Sequence, residues 1–407
     1  MTTTTLLPDD YRPHDAIHRV SLLKHPSATT RGLVLLVAIH NDLGTRVSRD
    51  AVAIDVAWTW PAHVRASDYT LLHGGNAAHV TRFRAEGVDV SQFDTTRVVV
   101  PLVHRSHAST MVGAAATASR NNRVKTSKSW AAATDDAPAV GMLPFATLTV
   151  MVTPTPLARL DGVWAGPLRD DWILPLRIEW ADDKLQLYRP FVSHSGASSM
   201  VLVREPPAFD ATPLGSSIWD AAIVLAAYLT SLNESKTLVP RNATVIELGA
   251  GCAALARLLS TSDPSSDAAS WKHVLTDLPD VLEYMQANAP AGATCASWAW
   301  GDPIPAAVMD AVGAAPIADK EQRPVAVIGT DIHYNEAAHP ALLSTLADLV
   351  TRWPAAPVVM AFKRRSGAGE EQFMNAWART MRSVGRTERP VEVVARWGEV
   401  FVVASFF

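Results

Sequence analysis

At 407 residues the chain has room for two domains and a sizeable core. It is 48% hydrophobic and 19% charged, as globular proteins are, and its formal net charge of −4 leaves no footprint for direct nucleic-acid binding. Its two cysteines, Cys252 and Cys295, are too few for a disulfide framework or a zinc set and suit a reducing compartment. Residues 1–10 carry no basic stretch before an apolar core, so no secretion signal is expected. The longest apolar run, 221–229, is too short to span a bilayer. These features predict a soluble cytoplasmic protein, with the nucleus as a second compartment, no membrane partner and no bound metal.

Residues 1–15 are polar. Residues 32–40, 51–60, 97–104 and 147–152 read as strands, since each apolar or alternating run stops at turn residues. Residues 108–138, rich in Ala, Ser, Thr and Asn, read as a flexible insertion. His104 and His107 match no metal-ligand spacing and are assigned to the surface. Residues 172–180, 184–188 and 199–204 look like a meander. A β-rich N-terminal extension over 1–182 is therefore expected, with a second domain over 183–407.

That second domain opens with a helix over 215–232. Ser217 and Asp220 give a capping signal, Trp219 lies in the first turn, and the apolar residues that follow run nearly all round, so the helix is buried. Residues 244–248 form a short apolar strand ending at Gly249-Ala-Gly251, with a helix over 253–260. The two glycines allow a tight turn and close approach of a ligand to the backbone, and the helix start offers free N–H groups. Glu247 would repel a pyrophosphate but suits a ligand with a cationic end, such as the methionine part of S-adenosyl-L-methionine.

Past a polar insertion over 261–270, a strand over 273–276 ends at Asp277, where such folds grip a ribose by its hydroxyls. A helix over 281–289 and a strand over 295–300 follow. Trp300 at that strand end is placed to stack on an adenine, with Trp298 in the core. Residues 325–329 form a central strand that stops before Asp331 and Tyr334. His333 and His339 read as non-metal residues. A helix over 341–352 and a strand over 357–362 lead to Lys363-Arg364-Arg365, read as a solvated basic turn rather than a substrate contact. A helix over 370–384 precedes an antiparallel pair, 391–395 and 400–406. Strand–helix alternation predicts an α/β fold: a doubly wound, mostly parallel, seven-stranded Rossmann-like sheet with a terminal β hairpin.

Several separated stretches now coincide: Gly215-x-x-x-Trp219-Asp220-Ala221-Ala222, Glu247-Leu-Gly-Ala-Gly251, Thr276-Asp277, Trp300-Gly301, Asp331-x-x-Tyr334, and Phe362-Lys-Arg-Arg365 followed by Glu371 and Phe373. Together they resemble the seven-β-strand (class I) protein-lysine methyltransferases of the family-16 group. The layout of the extension is similar to that of the fungal ribosomal branch. The resemblance implies S-adenosyl-L-methionine as cofactor, held by Trp219, Glu247, Gly249, Gly251, Asp277 and Trp300. Asp331 is then expected to receive the lysine ammonium and Tyr334 to line its channel. A protein substrate is implied (a ribosomal protein, a translation factor or a chaperone), and a monomer is expected. The turn departs from the pattern by continuing Cys252-Ala253-Ala254, though Ala254 is small enough to keep the helix near the sheet. A non-catalytic methyltransferase-like binding or assembly module is the alternative. Glu247 and the terminal hairpin argue against a third reading, an NAD-dependent oxidoreductase.

Overall fold

The structure, a computed structural model, describes residues 17–29, 32–40, 52–59, 69–71, 82–88, 96–100, 102–104, 147–153, 173–181, 184–192, 200–207, 210, 212–232, 238–260, 271–313, 324–365, 368–387, 390–397 and 400–406. The expected polar start, the 108–138 insertion and His107 lie outside these residues.

Thirteen described strands precede the first long helix: β1 His18–Leu22, β2 Ser27–Thr29, β3 Gly32–His40, β4 Val52–Thr59, β5 Tyr69–Leu71, β6 Arg82–Val88, β7 Thr96–Val100, β8 Leu102–His104, β9 Thr147–Thr153, β10 Ile173–Leu174, β11 Leu176–Ala181, β12 Lys184–Val192 and β13 Met200–Glu205. One sheet runs β10-β1-β3-β2 with β7 added on β3, a second runs β13-β12-β11-β9-β4-β6, and β5 pairs with β8. In β3 the side chains of Leu33, Leu35, Val37 and Ile39 are buried and those between them are partly exposed. That alternation is the period-two signature of a strand with one face on a core.

Two predicted strands are each broken in two. The run 97–104 gives β7 and β8, which join different sheets on either side of Pro101; the run 172–180 gives β10 and β11 on either side of Pro175. Proline has no amide hydrogen for a ladder. Strands β1, β2, β5 and β6 are additions, being short or too polar to stand out.

The expected boundary at 182/183 falls inside a hairpin. Strands β11 and β12 pair antiparallel, with Ala181 opposite Lys184, and β13 continues the same sheet. Sheet membership thus changes only after Glu205. The cores also merge: Ile17, Leu174, Phe191, Val201 and Val203 lie in one apolar cluster with Ile218, Ala221 and Leu225 of the next helix.

The C-terminal sheet comprises β14 Thr244–Leu248, β15 Lys272–Asp277, β16 Thr294–Ser297, β17 Val325–Thr330, β18 Val358–Lys363, β19 Glu392–Trp397 and β20 Val400–Ser405, in the order β16-β15-β14-β17-β18-β20-β19. The first five of that order are parallel, and β20 runs antiparallel to both neighbours. Its helices are α1 Asp220–Ser231, α2 Ala254–Leu259, α3 Leu282–Asn288, α4 Ala306–Val312, α5 His339–Arg352 and α6 Ala368–Ser383. Helices α1 and α2 pack on one face of the sheet; Val308 of α4, Leu342 and Leu346 of α5, and Phe373 and Trp377 of α6 cover the other. The predicted doubly wound sheet with its terminal hairpin is the observed one.

Candidate active site

Register sets the site. Leu248 of β14 lies opposite Thr276 of β15 and Gly329 of β17, and Thr330 lies opposite Ala361 of β18. The carboxyl ends of these strands are therefore level. The Gly249 turn, Asp277, the segment 298–301, Asp331 and the segment after Lys363 all emerge along one edge, where open α/β sheets bind ligands.

Around the glycine turn, Glu247, Gly249, Gly251, Asp277 and Trp300 come together. The Ala250 amide donates to Thr276 O (2.9 Å) and the Gly251 amide to Asp277 Oδ2 (2.7 Å). The second carboxylate oxygen of Asp277 accepts from the Leu278 amide at 2.7 Å. Burial raises the Asp277 carboxyl above its usual range, and these two amides pull it partly back. Glu247 is 2% exposed, and its Oε1 is buried with no hydrogen-bond partner. Burial, with Asp277 adding repulsion, lifts its carboxyl from 4.5 to about 8. A buried carboxyl oxygen left unsatisfied at a crevice edge fits the cationic end of S-adenosyl-L-methionine, which would supply the missing partner.

The glycine turn differs from expectation in what its glycines face. Gly249 and Gly251 have φ of +61° and +56°, as the left-handed turn requires. A Cβ on Gly249 would lie 2.5 Å from Ile332 Cγ2 and 3.3 Å from Trp300 Cζ2, and one on Gly251 would lie 2.6 Å from the Gly215 carbonyl oxygen. Both positions are filled by protein rather than held open for a ligand. Ala253 shares the left-handed region at φ 59°, so α2 begins one residue late and spans only six residues.

Trp300 is partly exposed beside Gly249, and Trp298 is buried with its Nε1 donating to Asp302 O at 3.1 Å. The burial of Trp298 fits the core role expected of it. Both lie beyond β16, which ends at Ser297 rather than at residue 300.

Across the crevice sit Trp219, Asp331 and two residues from the predicted basic turn. Asp331 is 5% exposed and adopts φ 52°. Its Oδ1 accepts from the Lys363 amide (2.9 Å) and the Arg365 guanidinium (3.1 Å). Arg365 also stands over the Trp219 ring, 5.2 Å from its centroid. Tyr334 is 58% exposed at the rim, and burial with the charges of Asp277 and Asp280 raises its hydroxyl pKa. The basic turn is thus not solvated: Lys363 is 1% exposed, with its Nζ 2.8 Å from Asp220 Oδ2. The expected capping box is absent as well. Trp219 caps α1 without a side-chain bond, and the Asp220 carboxylate is spent on ion pairs.

Sequence reasoning passed over Asn288, whose Nδ2 donates to Cys252 O (2.8 Å) and to Arg204 O (2.9 Å) while its Oδ1 accepts from the Arg204 amide (2.7 Å). It pins the glycine turn to β13. The signal was a polar residue on the inner side of a helix. Among the described residues no cluster of His, Cys, Asp or Glu could hold a metal ion, and no helix is long and apolar enough to cross a membrane.

The seven-stranded, mostly parallel sheet in this order, with an acidic strand end and a glycine turn at its carboxyl edge, is the arrangement that the resemblance to class I methyltransferases implies. Residues 210–380 match the family model described as lysine methyltransferase. EEF1A lysine methyltransferase 3 of Mus musculus is 32% identical over 168 residues, which cover 39% of this chain and 60% of the mouse protein. Among solved structures, human N-acetylserotonin methyltransferase in complex with SAM aligns over 46% of this chain and 54% of its own at 12% identity and a TM-score of 0.30. An O-methyltransferase family protein from Burkholderia thailandensis aligns over 45% and 55% at 13% identity, also with a TM-score of 0.30.

Proposed function

We propose that this protein transfers methyl groups from S-adenosyl-L-methionine to a lysine side chain of a protein substrate. The observation that carries the reading is the buried, unpartnered Oε1 of Glu247 beside Asp277 and the glycine turn, within the stretch that matches the lysine methyltransferase family model. When bound, S-adenosyl-L-methionine supplies a methyl carbon activated by its sulfonium, which a neutral lysine nitrogen takes over in one displacement. Glu247 would hold the cationic methionine end, Asp277 the ribose hydroxyls, and Trp219 and Trp300 would flank the cofactor. The chain needs to add little covalent chemistry, and its contribution is position.

The lysine must lose a proton, against a free pKa of ~10.4. Asp331 supplies negative charge at the end of β17 to draw in the ammonium, and Arg365 and the Lys363 amide fix that carboxylate in place. Tyr334, exposed at the rim, is placed to line the lysine stem. The mouse relative's name gives EEF1A as that protein's substrate; here we extend only the acceptor class, a protein lysine. A cytoplasmic monomer is part of the reading, and the two free cysteines suit that compartment.

Calorimetry tests the cofactor half. S-adenosyl-L-methionine and S-adenosylhomocysteine should both bind while NAD does not. Tight NAD binding with no response to either sulfur compound would reverse the reading.

A further inference from the structure

A run of buried charges crosses from the N-terminal sheets into the candidate site. Arg189 Nε meets Glu205 Oε2 at 2.5 Å, and Glu205 Oε1 accepts the Ile218 amide at 2.8 Å. Arg19 of β1 donates to Ile218 O at 2.5 Å and, through its other terminal nitrogen, to Asp220 Oδ1 at 2.7 Å. The other oxygen of Asp220 takes Lys363 Nζ at 2.8 Å, and the Lys363 amide holds Asp331 Oδ1 at 2.9 Å.

We propose that Arg19 is a positioning residue for the acceptor side of the site, setting Asp331 through Asp220 and Lys363. The proposal rests on the methyl-transfer reading above and deepens it, making the β-rich extension a working part of the site. Arg19 and Lys363 grip the two oxygens of one carboxylate from opposite sides. Without the Arg19 guanidinium, the Lys363 ammonium is drawn onto the whole carboxylate, and residue 363 moves with its amide. The far end of the run is a non-glycine residue in the left-handed region; strain of that kind collects at functional sites and lasts only where its surroundings over-determine it.

The cofactor side has its own tie. Asn288 fastens Cys252 to Arg204 without touching Arg19, Asp220 or Lys363. Loss of Arg19 should therefore separate acceptor chemistry from cofactor binding, which a plain loss of stability would not do.

The test uses the full-length chain, tritiated S-adenosyl-L-methionine and a host-cell lysate as methyl acceptor, with rates normalised to the folded fraction from thermal melting. Arg19→Gln should lower the maximal labelling rate about tenfold or more. Its apparent KM for S-adenosyl-L-methionine and its S-adenosylhomocysteine affinity should stay within threefold of wild type. Arg19→Lys keeps the charge on Asp220 and should recover a third or more of the rate, which also covers the case in which the glutamine variant folds poorly. Arg177→Gln breaks a partly exposed pair with Glu179 in the same half of the chain and should leave labelling unchanged. A normal rate for Arg19→Gln, or a loss of rate and cofactor affinity in equal proportion for both Arg19 variants, overturns the proposal alone. A wild-type chain that binds S-adenosylhomocysteine and labels nothing overturns the methyl-transfer reading and the proposal with it.

Discussion

On the proposed reading, Glu247 serves cofactor binding and Asp331 the chemistry. In the free protein Glu247 titrates near 8 rather than its ordinary 4.5, because the charged form has lost its water. The sign follows from proton linkage: between these values the folded chain keeps a proton that the unfolded chain has released. Its contribution to stability is thus full below pH 4.5 and is lost as the pH rises through about 8. A cationic ligand favours the charged form and displaces that proton. S-adenosyl-L-methionine should therefore bind more tightly as the pH rises from 6 toward 8, with nearly one proton released per ligand at pH 7. Calorimetry in buffers of different ionisation enthalpy measures that release, and Glu247→Gln should abolish it. Pairing with an undiminished release in that variant would remove Glu247 from the site. Asp331→Asn keeps the acceptor for the Lys363 amide but removes the charge. It should cost roughly a hundredfold in labelling rate while S-adenosylhomocysteine affinity changes less than threefold. A wild-type rate from this variant would show that Asp331 plays no part in the chemistry.

The turn between β14 and α2 decides how much strain the site stores. Gly251→Val would put a branched side chain at φ +56° and against the Gly215 carbonyl, 2.6 Å from the new Cβ. The left-handed backbone alone costs a non-glycine residue about 1–2 kcal/mol, and the clash adds to it. The variant should melt several degrees lower and bind S-adenosylhomocysteine poorly; an unchanged melting point would mean that the turn yields easily. From the sequence alone, the same variant would be expected to fold well and fail only to bind. That contrast marks what was legible. Apolar runs and glycine punctuation are local, so all seven strands of the C-terminal sheet and their order of type were readable. The acidic strand ends were readable because spacing along a strand fixes their edge, whereas the two tryptophans lie past the end of β16, where strand spacing does not apply. What a Cβ at Gly251 would strike depends on Gly215, far away in sequence. Asp220 likewise reads as a helix cap, and Lys363 and Arg365 as surface, until Arg19 and Asp331 are brought beside them. Long-range ion pairs leave no mark on local composition. The polar strands β5 and β6 escaped for the related reason that their partners, rather than their own hydrophobicity, make them strands.

At the scale of the molecule, the two halves of the sequence are one folded unit. The sequence suggests cutting at 183, because every cofactor motif lies at or beyond Gly215. The structure opposes it. A fragment starting there loses β11 from beside β12, strips Ile17 and Leu174 from the shared core, and leaves Asp220 and Glu205 without Arg19. Breaking a buried ion pair on one side costs roughly 3–5 kcal/mol, against a whole-domain stability of about 5–15 kcal/mol. The 183–407 fragment should therefore show no cooperative melting transition by circular dichroism. A sharp transition near that of the full chain would show that the extension is an independent domain. The most direct test of the methyl-transfer account is to incubate the full-length protein with tritiated S-adenosyl-L-methionine and a host lysate, then identify the labelled residue by mass spectrometry. Label on the side-chain nitrogen of lysine in a protein is the expected result. Label confined to any other acceptor, or none at all from a protein that binds S-adenosylhomocysteine, contradicts it and leaves a cofactor-binding assembly module in its place.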